Sequence, residues 1–327
     1  LGLVEIAGFS ISFSKLTLVV EFVVMAIVLV ARPWGLFGRP QTPSRHSAKA
    51  EDPLKLPGLL NRYATIAFIS LLVLMPTLTA KSPYLTVLMI DLMVAALFAV
   101  SLHFIMGPAG MHSFGHAAYF GLGAYGAALL VRGLNLPMEV ALVAAPALAA
   151  FGAFVYGWFC VRLSGVYLAM LTLAFAQIAW STAFQWVEVT GGDNGILGVW
   201  PSAWAVPKLT YAYLSLALCL AGTWLLRRAI FAPMAAAFAG LAGALFAYGK
   251  GSVFPTTMAI PRSVDALLMV LLGGVQTVVG PVVGALAYTL LHEQLVRVTE
   301  LWRGALGLII IGLVLFFPRG LAGWRRA

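Results

Sequence analysis

Two histidines stand four residues apart, as metal ligands do on one helix face: His112 and His116, within GPAGMHSFGHAAYFGLGAYG at residues 107–126. A zinc hydrolase of the HExxH kind needs a glutamate between them and a third ligand, and neither is evident. Packing between helices is the better reading of the pair. The same stretch carries Gly121, Gly123 and Gly126 in the order GxGxxG. A dinucleotide turn needs a preceding strand and a βαβ unit, which an apolar span excludes. Residues 243–251, GALFAYGKG, imitate a phosphate loop, but five residues rather than four separate the first glycine from Gly249 and Lys250, and Gly251 replaces the hydroxyl residue. No ATP hydrolysis follows from it. Asp91, Gln177, Asp265, Gln276, His292 and Glu293 are the other polar groups inside apolar runs. Their scatter argues against a catalytic pair, although each is a functional candidate at depth.

The elements that position these residues follow from composition. Hydrophobic residues make up 62% of the 327 and charged ones only 9%, against about 25% charged in an ordinary soluble domain. The chain is therefore an all-α, polytopic membrane protein. Its net charge of +9 does not indicate nucleic acid, because the basic residues sit singly or in small groups at the ends of apolar runs. Cys160 and Cys219 both lie inside such runs, so neither a disulfide framework nor a zinc site is indicated. The sequence opens on Leu1 with no signal peptide, which reads as a start inside a longer chain.

A helix needs about 20 apolar residues to cross a bilayer, and on that ruler eleven spans are expected. They are 16–31, 62–80, 84–105, 112–131, 138–160, 165–187, 209–226, 231–249, 263–279, 281–297 and 303–317. Gly273, Gly274, Gly280 and Pro281 interrupt the segments from 263 to 297, which reads as broken or half helices, the kind that transporters use. The polar, Pro-rich run at 33–61 joins two membrane units. With it cytoplasmic, alternation puts Arg162, Arg227, Arg228, Arg319, Arg325 and Arg326 on the same side, as the positive-inside rule asks. The loop from Glu188 to Lys208 then lies outside with 250–262, where Lys81, Arg132, Lys250 and Arg262 are exceptions to the rule. A weak repeat links VLVARPWGLFG at 28–38 to VLFFPRGLAG at 314–323.

Residues 107–130 resemble the signature of branched-chain amino acid ABC importer permeases, specifically the M-type member of the paired H and M membrane subunits. RLSGVYLAMLTLAFAQI (162–178), TGGDNGILGV (190–199), AGLAGALFA (239–247) and SVDALLMVLLGGVQTVVGPVVGA (263–285) resemble the same family in the same order. The likeness covers 62–323. Residues 1–40 resemble instead the terminal transmembrane helix of the sister H-type subunit, so that 41–61 is a cytoplasmic linker, 62–327 the M-type domain, and the whole part of an H-M fusion.

The resemblance implies an ABC importer transmembrane domain of about ten spans plus one N-terminal helix, in a bacterial inner membrane with a cytoplasmic C-terminus. It implies half of a translocation path for branched-chain amino acids or related small amphipathic solutes, worked by alternating access. It is not catalytic itself and binds no cofactor: ATP and magnesium belong to two partner ATPase subunits, while a periplasmic binding protein delivers the solute. Path candidates are Gly110, His112, Ser113, Gly115, His116, Tyr119, Thr172, Gln177, Gly273 and Gly274, and Asp193 and Asn194 shape the loop facing the binding protein. The family carries a cytoplasmic coupling loop where Arg227 and Arg228 here run almost directly into Phe231, so residues are expected to be missing between Arg227 and Ala232. Met111-His112 also departs from the family, which has a Gln followed by an apolar residue. An ion-coupled secondary transporter is the alternative, recognised by uptake that collapses with the ion gradient.

Overall fold

The structure is a computed structural model that describes residues 3–6, 9–32, 37, 59–107, 110–111, 113–160, 163, 165–228, 233–277, 279–317 and 320–322. Among these are twelve α-helices: α1 (Phe13–Ala31), α2 (Leu59–Thr79), α3 (Pro83–Met106), α4 (His116–Leu134), α5 (Met138–Cys160), α6 (Gly165–Gln185), the single turn α7 (Val187–Thr190), α8 (Lys208–Arg228), α9 (Pro233–Lys250), α10 (Ile260–Gly273), α11 (Gly280–Val298) and α12 (Trp302–Phe316). Each of the eleven expected spans has its helix. Most of the linker and residues 229–232, where a coupling loop is expected, lie outside the described residues.

The bundle is built around α3, whose apolar residues run round the whole cylinder, as a helix buried on every side requires. Leu92, Val94, Leu97, Phe98, Ala99 and Leu102 are all buried, with α8, α9, α10 and α11 packed around them. Beside it, α4 packs on α5 and α9 with almost no side chains between the backbones. A Cβ on Gly243 would come 1.8 Å from the Phe120 carbonyl oxygen, and one on Gly123 2.0 Å from that of Gly240. Glycine is required there because helices this close leave no room for a methyl group. α1 packs on α6, Ala26 and Leu29 joining Leu168, Leu171 and Ala174 in a small apolar cluster of their own.

Among the described residues, α3, α4, α5, α6 and most of α8 are long and apolar enough to cross a membrane. Of the others, α9 is rich in Gly and Ala, α10 has only 14 residues and α12 only 15. The largest departures from the expected spans are at the start of α4 and at α10. α4 starts at His116 rather than at 112, since Ser113, Phe114 and Gly115 before it are not helical. α10 occupies 260–273 rather than 263–279, closed by Gly274 at a φ of 104°. The chain is all-α as expected, with only two short strand pairs among the described residues. β1 (Leu3–Ile6) and β2 (Phe9–Ser12) pair antiparallel, and β3 (Ile196–Leu197) pairs with β4 (Ser252–Val253) to tie two loops together.

Candidate functional site

The described residues just before α4 fold back against α3 and α6. From Gly107 the chain turns back along α3, the Met111 N–H reaching the Ile105 carbonyl at 3.1 Å, and α4 begins at the level of Ser101 rather than at the bundle's end. Gly115 makes that return possible, since a Cβ on it would come 2.1 Å from the Thr172 carbonyl oxygen of α6. The Phe114 N–H donates to Thr172 Oγ1 at 3.3 Å, and Thr172 Oγ1 donates to Ala169 O at 2.9 Å. His116, wholly buried, sits stacked on Phe98 and edge-on to Tyr119. Ser101 gives its hydroxyl proton to Phe98 O at 2.7 Å, so its oxygen accepts from His116 Nε2 at 2.8 Å. That network assigns the neutral Nε2–H tautomer and leaves Nδ1 a buried acceptor with no partner among the described residues.

A second irregular segment enters from the opposite side. After α9 the chain turns at Gly251, pairs as β4, and passes through a 3-10 turn at Pro255–Met258. Met258 then packs on Gly121, where a Cβ would meet its Cγ at 2.0 Å. α10 starts only after this descent, with Pro261 in its first turn, a position that needs no N–H. Ser263 Oγ accepts the Ala117 N–H at 2.9 Å, so the first turns of α4 and α10 meet. Depth follows from neighbouring rings: Phe98, near the middle of α3, lies 4.8 Å from Phe120, and Arg262 lies over Phe120 at 5.0 Å. The first turns of α4 and α10 thus meet beside Phe98, each bringing the partial positive charge of a helix start.

Charged side chains line the outer part of this junction. The Arg262 guanidinium rests over the rings of Phe120 and Phe246, 5.2 Å from the latter, and feels the carboxylates of Asp265 and then Asp91. Asp265 Oδ1 accepts the Tyr288 hydroxyl of α11 at 2.5 Å, and Lys250 Nζ binds Asp91 Oδ2 at 2.7 Å. The Lys250–Asp91 pair is about a third exposed on each side, so its contribution is small. A double-mutant cycle of Asp91→Asn and Lys250→Met, read by thermal unfolding, should give a coupling of about 0.2–1 kcal/mol; a coupling of several kcal/mol would show a far drier pair.

Comparison with known proteins gives one family. The family described as branched-chain amino acid transport system, permease component, matches residues 84–231 and 227–317. The chain belongs to this family. Two curated relatives are the high-affinity branched-chain amino acid transport system permease proteins LivM of Escherichia coli strain K12 and of Salmonella typhimurium strain LT2. Each is 24% identical over 287 residues, covering 70% of this chain and 68% of the relative. No solved structure matches.

In this permease the expected path residues separate into groups. Ser113, Gly115, His116, Tyr119 and Thr172 gather at the start of α4; Gly110 stands open beside them with a φ of 61°. His112 lies outside the described residues. Gln177 is five residues along α6 from Thr172, a position turned away from the α4 contact and shared with exposed Met170. Gly273 and Gly274 are not at the junction: they close the far end of α10, tightly packed against Gly280 and Gly320. His103 Nε2 holds this turn to α3 by donating to Val275 O at 2.6 Å. Asp193 and Asn194 are exposed in a 3-10 turn, where Thr190 Oγ1 donates to Ala183 O at 2.6 Å. Sequence reasoning missed Arg262, which it left in a loop, together with Ser263 and Tyr288. The signal was Arg262 and Asp265 three residues apart beside Pro261, a charged pair one turn apart on a single helix.

Proposed function

We propose that this permease forms half of the translocation path of a binding-protein-dependent importer for branched-chain amino acids or related small amphipathic solutes. The observation that carries the reading is the meeting of α4 and α10 near mid-depth. Converging helix starts offer N–H groups to a carboxylate where bilayer hydrocarbon offers none. The first residues of α4 and α10 are then the path, with Ser113, His116, Tyr119 and Thr172 behind them.

The partners follow from the same reading. Two ATPase subunits bind the cytoplasmic face and carry the ATP and magnesium, a periplasmic binding protein meets the outer loop that bears Asp193 and Asn194, and an H-type half completes the path. The protein lies in the inner membrane with the ends of α1, α8 and α12, and hence the C-terminus, on the cytoplasmic side. Helix α1 is the last helix of a fused H-type unit. Coupling to the ATPases runs through the junction of α8 and α9. The family match there falls into two segments overlapping at 227–231, as it would if a coupling loop belonged between them.

Purification of the full-length protein should bring down the two ATPase subunits encoded beside it. In proteoliposomes, ATP hydrolysis should rise severalfold when the leucine-loaded binding protein is added. A full-length protein that binds no ATPase, yet takes up leucine on an ion gradient alone, would replace this reading with secondary transport.

A further inference from the structure

We propose that Arg262 is a carboxylate-recognising station inside the permease, with Asp265 placed to take the ammonium group of the same zwitterionic solute. The proposal rests on the transport reading above and names the residues that select within the path.

A guanidinium carries five N–H donors and never loses its charge. Among the described residues, that of Arg262 makes no hydrogen bond and no ion pair, although it is half-buried near mid-depth. Hydrocarbon cannot be what it faces, because a lone arginine at the bilayer centre is costly and such residues turn to a partner or to water. Its central carbon lies over the rings of Phe120 and Phe246 at 5.0 and 5.2 Å, contacts that engage the charge but offer the N–H groups no oxygen acceptor. What remains for a partner is the donor edge, the part that binds a carboxylate through two parallel hydrogen bonds.

The second half of the station is equally incomplete. Asp265 uses Oδ1 for the Tyr288 hydroxyl and makes no ion pair within 4.0 Å among the described residues. Its other oxygen is left for a cation. Residues three apart on a helix have Cβ atoms about 5–6 Å apart, a spacing on the scale of a zwitterionic head group. Asp91, across the junction, is already held by Lys250, so it keeps the region near neutrality without competing for the solute. The side chain of the solute plays no part in this recognition, which makes the station selective for the amino acid head group rather than for its apolar tail.

The test is uptake of tritiated L-leucine by the complete complex in proteoliposomes, with its ATPases and leucine-loaded binding protein. Arg262→Met should lower uptake about 30-fold or more while the complex still copurifies with its subunits in unchanged ratio. Arg262→Lys, which keeps the charge but loses the two-point geometry, should fall between, and Asp265→Asn should lower uptake about tenfold. Uptake by Arg262→Met within twofold of the unsubstituted complex would overturn the proposal. So would loss of the partner permease half from the purified variant, since Arg262 would then be an interface ion pair. No uptake by the unsubstituted complex would instead overturn the transport reading itself, and the station with it.

Discussion

Gly243→Val should cost about 3 kcal/mol or more of stability, the upper range for forcing volume into a tight helix seam. A Cβ at this position would come 1.8 Å from Phe120 O and 3.0 Å from the Ala124 nitrogen, both backbone atoms that no rotamer change can move. Helices α4 and α9 must therefore separate, and the start of α4 moves with them. Gly307→Val is the matched control: the residue is also helical, on α12, but nothing lies within 4 Å of the added carbon. That substitution should leave stability within about 0.5 kcal/mol. Apparent Tm of the two purified variants, scanned at one rate, checks the contrast, and equal melting would show that the α4–α9 seam yields more easily than its geometry implies.

Ser263→Val should lower leucine uptake by tenfold or more. Ala117 lies in the first turn of α4, so its N–H has no carbonyl within its own helix, and Ser263 Oγ is the acceptor that α10 brings to it. Valine matches threonine in shape but accepts nothing. An orphaned buried donor costs about 1–3 kcal/mol, enough to loosen the meeting of the two helix starts. Ser263→Thr retains the oxygen and should keep most of the activity, so the ratio of uptake rates between the two variants separates loss of the bond from loss of space. Equal rates would show that the junction needs only packing.

These two sites also show what was legible beforehand. Helix existence was readable from apolar length, but the break before α4 was not, and the expected span ran back to residue 112 where the helix begins only at His116. Pairing was not readable. Asp91 and Lys250 stand 159 residues apart, Ala117 and Ser263 stand 146 apart, and no local period links them. The start of α10 was placed three residues late for a related reason: Pro261 and Arg262 are the punctuation expected of a loop at a membrane surface, yet here they lie within the first turn of the helix. Arg262 consequently read as a loop residue. Gly273 and Gly274 were legible as an interruption, but only the fold shows that they seal the C-terminal end of α10 against Gly280 and Gly320, while its open end is at Ile260.

Fourteen residues at about 1.5 Å each reach roughly 21 Å, short of the ~30 Å hydrocarbon core, and α10 carries an arginine and an aspartate besides. The machinery that releases helices one by one into the bilayer has no reason to release this one alone. α10 packs on α11, and its first turn is met by the Phe120 ring and the Ala117 N–H of α4. Its neighbours in the bundle, rather than its own length, hold it where it is.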